Sequence, residues 1–399
     1  MYFKHYETKE IFIIPILKDN KKHYINNNKF LFFVGFDITN CKYIITKTIK
    51  ANKIWTLYSK HFQLLTKNID SQLVNDFSLI YYLYTQLKLK IDLPIWYNKT
   101  TDNETIPETI HIKYLQNVIS IFNKYKDLKL PDGYNFYYNN LKYLHELDKT
   151  KIKLDIKYSG LKDNYIYSNY FNYTQTGRPT NTFNNLNLLS LSKKDNKRKM
   201  IIPNNDLLVE FDFSGYHLSI LNNLLKLNIN GNIHEYIGKQ FFGVDKLTTK
   251  QYKDIKLLDF KYMYDEVPLS VKKKIKFFEI VENFASRLYE FANKYNFIYT
   301  HIGRRKLNIA KNYKTQLNYF LQSYEIENGL TLLKPIIKLL DCKSTKVLLY
   351  TYDSLLFDVK QSEISLLNDI KTILQQNNKF KVTIKSGTNY KELTDYEHS

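Results

Sequence analysis

Two aspartates, Asp212 and Asp353, are the first candidates for chemistry in this sequence. Residues 207–213 alternate in polarity as a β-strand does, and Ser214-Gly215 then ends the alternation. Helical spacing follows from Leu218. Asp212 therefore stands at a strand end, where a carboxylate can face a cleft while the strand itself stays buried. By itself the pattern also fits an acid that merely caps or solvates the strand.

The second carboxylate, Asp353, lies in a run typical of strand, tight turn and strand over residues 346–359. An Asp in such a turn commonly bonds its own backbone, and this ordinary role stays open. Phosphoryl transfer needs two carboxylates that hold two divalent ions about 3.5–4 Å apart. A fold that brings Asp212 and Asp353 together could support that reaction.

A helix between the two aspartates carries a second group of candidates. Thr248 and Gln251 form a capping box, which predicts a helix start near Lys250, and Pro268 predicts its end. Within this helix every fourth residue shares one face: Lys256, Phe260 and Tyr264. Ile255, Leu258 and Tyr262 form the opposite stripe, which we expect to pack on the next helix. On spacing alone, a mixed surface stripe explains the first face better than a site does.

Composition favours a polyanionic partner. The 399 residues include 59 basic and 39 acidic ones, a net charge of +20, which is typical of nucleic-acid binding. AT-rich coding, which enriches Lys and Asn, would give a similar bias. Two cysteines, Cys41 and Cys342, exclude a disulfide framework or a zinc cluster of cysteines. We also expect no membrane span and no signal peptide, and hence a soluble cytoplasmic protein, because the early apolar run at 11–17 is short and contains Pro15.

The elements around the candidates are predicted from periodicity. Strands are expected at 11–17, 30–38 and 42–49, and helices at 54–65, 76–89 and throughout 109–157, with a polar linker at 98–108. A chain of this length exceeds one compact core, so several subdomains are expected.

Five segments in order resemble family A DNA polymerases, the bacterial polymerase I class. Thr176-Gly177-Arg178, followed by Asn185 and Asn187, resembles the family's Thr-Gly-Arg segment. The stretch beginning at Asp212 resembles motif A, and Ile233-His234 resembles the Asp-Ile-His segment that leads into the fingers. The Lys256 helix resembles motif B, and Tyr352-Asp353-Ser354 resembles the His-Asp-Glu hairpin of motif C. Together they cover roughly residues 166–360.

The resemblance implies an α/β fold of right-hand polymerase type, with a palm sheet, helical fingers, a helical thumb and a small α/β N-terminal region. The implied boundaries are 1–104 for the N-terminal region, 105–165 for the thumb, 166–234 and 300–399 for the palm, and 235–299 for the fingers. The N-terminal region would be a degenerate exonuclease-like fold or something unrelated, since Asp37-Ile38-Thr39 lacks the second acid of that fold's Asp-x-Glu. We expect no proofreading nuclease.

The resemblance also implies the function, which is template-directed DNA synthesis from dNTPs on a primer–template with two Mg²⁺ ions. Asp212 and Asp353 would hold the ions, and Lys256 would neutralise the triphosphate and protonate pyrophosphate. The remaining implied nucleotide-binding residues are Phe260, Tyr264, His217, His234 and Lys253. The implied DNA-binding residues are Arg178, Asn185, Asn187, Arg304, Arg305, Asn318, Gln322 and Tyr352.

The sequence departs from the family pattern at several of these positions. Tyr252 replaces an Arg that binds phosphate, and Lys253 or Lys250, at a different angle on the helix, is the substitute source of that charge. Asp265 replaces a Gly, and Ser354 replaces a Glu, although its hydroxyl could order a metal-bound water. His217 stands where the family has the Glu that excludes the ribose 2′-hydroxyl, and we expect the imidazole to exclude it by size.

Two other functions stay open on the sequence. The Asp-Ser turn also occurs in single-subunit phage-type RNA polymerases, and a catalytically inactive nucleic-acid-binding relative would keep the same fold. The Thr-Gly-Arg segment and Phe260 disfavour the first. Retention of Asp212, Asp353 and Lys256 disfavours the second. The compact, AT-biased chain suggests a virus or mobile element as its source.

Overall fold

The computed structural model describes residues 2–17, 30–57, 73–89, 108–155, 157, 164–183, 186–192, 196–306 and 309–396. These residues form two compact units, Met1–Lys142 and Tyr143–Ser399. The helices are α1 Phe77–Thr85, α2 Glu108–Phe122, α3 Tyr134–Glu146, α4 Tyr216–Leu224, α5 Ile233–Phe242, α6 Thr249–Tyr264, α7 Leu269–Lys274, α8 Lys276–Tyr295, α9 Tyr313–Leu339 and α10 Leu366–Gln375.

The strands follow the same chain order. They are β1 Tyr2–Leu17, β2 Phe30–Asp37, β3 Lys42–Thr56, β4 Val74–Asp76, β5 Lys151–Leu154, β6 Tyr165–Tyr167, β7 Tyr170–Phe171, β8 Thr180–Phe183, β9 Leu186–Asn187, β10 Ile201–Ile202, β11 Leu207–Phe213, β12 Ile298–Tyr299, β13 Arg305–Lys306, β14 Lys346–Tyr350, β15 Ser354–Val359, β16 Val382–Gly387 and β17 Thr394–Asp395. No helix in the described part of the chain is long and apolar enough to cross a membrane.

The first unit is built on a sheet of strand order β1-β2-β3-β4, in which β1 also pairs with β3 in parallel. An aromatic cluster fills its core, where the ring centroid of Phe122 lies 5.0–5.2 Å from those of Phe12, Trp55 and Phe77. The three predicted strands are confirmed. The helix predicted from Ile54 is wrong at its start, because residues 54–56 continue β3 and pair with β4. The rest of that predicted helix, residues 58–65, and the predicted linker lie outside the described residues.

Asp37 has a structural role in this unit. Its carboxylate accepts hydrogen bonds from the Tyr6 hydroxyl, from the Thr8 hydroxyl at 2.9 Å, and from the backbone N–H and side chain of Asn40 at 2.9 and 2.8 Å. Burial acts to raise the pKa of Asp37, but the hydrogen bonds from Tyr6 and Asn40 together outweigh it, so the pKa is lowered. The carboxylate thus ties the β2–β3 turn to β1.

The second unit surrounds a five-stranded sheet of order β14-β15-β11-β16-β17, called the central sheet below. All of its pairs are antiparallel, and β11 lies between β15 and β16. Leu208, Val209 and Phe211 of β11 are completely buried because both faces of the sheet are covered. The predicted hairpin of residues 346–359 is confirmed as β14 and β15.

The helices of the second unit confirm most of the sequence-based predictions. Helix α6 begins with the predicted capping box and ends at Tyr264, and Tyr262 packs edge-on against Phe278 of α8 with ring centroids 5.5 Å apart. The prediction that residues 109–157 are helical is wrong at 123–133, which connect α2 to α3, and at 151–154. There the Lys-Ile-Lys-Leu alternation forms β5, with Ile152 and Leu154 buried.

Lys306 of β13 is a fully buried lysine. Its ammonium donates to the backbone carbonyl of Gln175. Burial, and next the Arg304 cation, lower the pKa of Lys306 to about 7, while Glu327 acts in the opposite direction. The folded protein therefore binds this proton more weakly than the unfolded chain does.

The free energy of unfolding should consequently rise with pH between about 7 and 10, by at most about 1.4 kcal/mol per pH unit from this one group. Below pH 7 Lys306 is protonated in both the folded and the unfolded protein, so its destabilising effect no longer changes with pH. Lys306→Met should remove this dependence, because Met carries no titrating group. Denaturant unfolding of both proteins across this range measures it. The prediction would be contradicted if the difference in the free energy of unfolding between wild type and variant did not change with pH.

Candidate active site

The structure brings Asp212 and Asp353 to one end of the central sheet. In the β11–β15 register Asp212 is paired with Ser354, and the backbone N–H of Phe213 donates to the carbonyl oxygen of Asp353 at 2.9 Å. Both aspartates line one cavity of about 460 Å³. Two residues 141 positions apart in the sequence are thus held at the ends of adjacent strands by backbone hydrogen bonds.

The cavity has a concentrated negative charge at this end. Burial, then the Glu325 carboxylate, then the Asp212 carboxylate raise the pKa of Asp353 to about 6. Carboxylates that repel one another in this way are a site to which a divalent cation would bring compensating charge.

Helix α6 forms the opposite wall of the cavity. Lys256, Phe260 and Tyr264 all line it, as the every-fourth-residue register predicts. Phe260 is 52% exposed and presents its ring to the open cavity, whereas Ile255 and Tyr262 on the other side of the helix are buried. Lys253 is exposed and lies outside the cavity lining, so the structure does not place it as a replacement for the missing Arg.

Tyr252 and Asp265, the two residues of the α6 segment that differ from the motif B pattern, each have a local structural explanation. The Tyr252 hydroxyl accepts a hydrogen bond at 2.8 Å from the side chain of Asn232, the residue that caps the N-terminus of α5. Tyr252 therefore joins α6 to α5. Asp265 has φ −127°, an extended conformation that any residue adopts, so the absence of Gly there causes no strain.

A buried imidazole–carboxylate pair backs the same wall. The Nδ1 atom of His234 lies 2.6 Å from Oδ2 of Asp259, and both side chains are almost completely buried. Burial raises the pKa of Asp259, and the His234 hydrogen bond partly opposes that effect. His234 also lines the cavity, where a Cβ atom added to Gly215 would lie 3.0 Å from its Nε2 atom. Sequence reasoning missed Asp259, although it directly precedes Phe260.

A polar network lies between the aspartates and α6. Arg178 donates from Nε to Oε2 of Glu325 at 2.7 Å, and its Nη2 atom lies 2.5 Å from the same oxygen. The His217 ring contacts the Tyr264 hydroxyl through Nδ1, and its Nε2 atom lies 3.6 Å from Oε1 of Glu325. Sequence reasoning missed Glu325. The available signal was its position seven residues after Asn318, on the same face of α9.

The predicted DNA-contacting residues divide into three groups. Arg178, Asn318 and Gln322 line the cavity, and the Gln322 amide donates to Oδ1 of Asn318 at 3.0 Å. Tyr352 lies beside the cavity, with the Arg178 guanidinium 4.8 Å from its ring centroid and its hydroxyl bonded to the Pro179 carbonyl.

The third group, Asn187, Arg304 and Arg305, lies outside the cavity lining. Asn187 caps a short 3₁₀ turn, and Arg305 covers the Phe297 ring at 4.0 Å. Asn185 lies outside the described residues. The prediction for Arg304 is wrong in this structure, because its side chain is completely buried with Nε 3.7 Å from the Glu327 carboxylate. An Arg held in this way cannot reach a DNA phosphate.

The hydroxyl of Ser354 is directed into the sheet. It lies 2.5 Å from Oγ1 of Thr351 and donates to Oε1 of Glu210 at 3.4 Å. Ser354 is buried and lies outside the cavity lining, so the expectation that it orders a metal-bound water is wrong here.

The two aspartates suit a magnesium ion, which takes only part of its coordination from protein side chains, better than a metal ion that is coordinated by protein side chains alone. Among the described residues no group of three or more His, Cys, Asp or Glu side chains could hold a metal ion. Mg²⁺ usually binds to one or two carboxylates and completes its coordination with water and substrate phosphates. The oxygen donors of Asp212 and Asp353, in a cavity with space for a nucleotide, fit that mode.

Comparison with known proteins identifies the fold. No family model matches the chain, and no curated protein matches it. The polymerase domain of Pol1 from M. smegmatis, solved in complex with DNA primer–template and dNTP, is similar with a TM-score of 0.69. The similarity covers 96% of each chain, at 10% identity.

The chain has the fold of a DNA polymerase domain. This confirms the predicted α/β architecture. At 10% identity the similarity establishes the fold, and the activity has to be argued from the residues of the site.

Proposed function

We propose that this protein is a template-directed DNA polymerase of the family A type, which adds dNTPs to a primer 3′ end. The observation that carries the proposal is the arrangement of the cavity. Asp212 and Asp353 lie at one end of it, Lys256, Phe260 and Tyr264 form the opposite wall, and the fold is that of a polymerase domain.

Each wall of the cavity supports a different part of the reaction. Asp212 and Asp353 would hold two Mg²⁺ ions, which would supply positive charge for the triphosphate and lower the pKa of the primer hydroxyl. Lys256 is long enough and exposed enough to bind the triphosphate and to give a proton to departing pyrophosphate. The exposed Phe260 ring offers an apolar face against which an incoming base or sugar can stack.

The basic surface and the polar residues beside the cavity suit a primer–template. A net charge of +20 favours binding to phosphates irrespective of sequence. Asn318 and Gln322 project from α9 into the cavity and can donate to base edges, whose minor-groove acceptors are shared by all base pairs. Such contacts would position a duplex without restricting its sequence.

Extension of a primed template by the purified protein tests the proposal. We expect magnesium-dependent extension with dNTPs, abolished by chelation, and much weaker extension with rNTPs. Synthesis from rNTPs without a primer would instead support a phage-type RNA polymerase. Binding of the duplex with no extension under any of these conditions would contradict an enzymatic role.

Phe260→Tyr should ease the incorporation of dideoxynucleotides. A 3′-hydroxyl normally completes a polar contact that the edge of a Phe ring cannot make, and the added Tyr hydroxyl would replace it. The ratio of dNTP to dideoxynucleotide incorporation in single-turnover assays measures the effect, with wild type as reference. An unchanged ratio would mean that the Phe260 ring does not contact the sugar of the bound nucleotide.

A further inference from the structure

Glu325 is a buried carboxylate in the lining of the cavity, and the proposed chemistry has not used it. Its side chain is 2% exposed. An ionised carboxylate so buried needs compensating partners. Arg178 supplies two contacts to Oε2, which leaves Oε1 directed toward His217.

His217 is held from both sides of its ring. Nδ1 contacts the hydroxyl of Tyr264, and Nε2 lies 3.6 Å from Oε1 of Glu325. With a proton on Nε2, the ring would face the Glu325 carboxylate and accept from the Tyr264 hydroxyl through Nδ1. The Arg178 Nη2 atom, 3.5 Å from Nε2, limits the ring from a third side. A rotated imidazole would lose all of these contacts.

The network lines the same cavity as Lys256 and the two aspartates, which are the groups proposed to hold a nucleotide's phosphates. A nucleotide with its phosphates toward Lys256 and the aspartates and its base against α6 places the sugar between these two regions. His217 and Tyr264 join the two regions, since Tyr264 belongs to α6, His217 follows Asp212 at the start of α4, and the two side chains are in contact. Exclusion of an extra hydroxyl by size requires a wall that cannot move away, so the fixation of His217 matters as much as its bulk.

We infer that Glu325 is a positioning residue for sugar selectivity, which discriminates dNTPs from rNTPs by fixing the His217 ring. The inference rests on the proposed function. The carboxylate that motif A lacks at position 217 is thus provided from α9, and it acts through the imidazole.

The test measures nucleotide binding, so it does not require catalysis. Equilibrium binding of a dNTP and of the matching rNTP is measured on the complex with a dideoxy-terminated primer–template in Mg²⁺. Wild type is compared with Glu325→Gln, His217→Ala and the double variant. Glu327→Gln is the matched control, because it removes another buried carboxylate of α9, one that lies outside the cavity. Thermal unfolding verifies that each variant is folded.

We expect Glu325→Gln to reduce the preference for dNTP about tenfold, the size of effect that loss of one or two polar contacts gives. The double variant should be no less selective than His217→Ala alone, because Glu325 acts through His217. Glu327→Gln should keep the wild-type preference. Glu325→Asp, which keeps the charge on a shorter side chain, should retain part of the dNTP preference that Glu325→Gln loses.

Four results would overturn the inference: a wild type that binds both nucleotides equally, an unchanged preference in Glu325→Gln, effects of the two single variants that multiply in the double variant, or an equal loss in Glu327→Gln. A wild type that prefers dNTP through Glu325 yet never extends a primer would support this inference while contradicting the proposed polymerase activity.

Discussion

Asp212→Asn and Asp353→Asn are each expected to reduce magnesium-dependent primer extension by about three orders of magnitude or more. Each substitution removes one of the two carboxylates that meet at the end of the central sheet. The amide has nearly the same size, so the strands should pair as before. Because the duplex is bound by the basic surface, affinity for primer–template should stay within a few-fold of wild type.

Single-turnover extension together with duplex binding measures both effects. Asp395→Asn is the matched control, since it removes an exposed carboxylate from β17, the edge strand of the same sheet, and it should leave extension unchanged. Near-normal extension by Asp212→Asn or by Asp353→Asn would exclude that residue from the metal site. Weak duplex binding by either would indicate a structural role.

Lys256→Met should reduce the rate of extension by about 100-fold, the usual size of a lost proton donor or phosphate contact. Lys256 is the cation of α6 that lines the cavity, and Tyr252 on the preceding turn of the helix provides no charge to replace it. Met keeps the length of the side chain and removes the ammonium. The loss should appear both in the affinity for dNTP and in the maximum rate.

Lys261→Met is the matched control, because Lys261 is an exposed cation of the same helix outside the cavity lining. Its extension rate should equal that of wild type. An equal loss in both variants would attribute the effect to the general charge of the helix. Extension by Lys256→Met at the wild-type rate would remove Lys256 from the proposed chemistry.

Much of the candidate site could be predicted from the sequence because its signals are local. The capping box at Thr248 sets the start of α6, and the helical repeat then places Lys256, Phe260 and Tyr264 on one face. Strand alternation and a tight turn similarly place Asp212 and Asp353 at strand ends. Each of these features depends on residues that are close together in the chain, so the periodicity of the sequence is enough to predict it.

Which side chains meet was decided only by the tertiary structure. Arg178 and Glu325 are 147 positions apart in the chain, and no local pattern links them. Similarly, Arg304 was expected to contact DNA and is buried with Glu327, and the Ser354 hydroxyl bonds to Thr351 and Glu210 inside the sheet. Local periodicity determines which face a residue occupies, whereas the burial of a charge depends on what packs against that face. Buried charges must find partners wherever the fold places them.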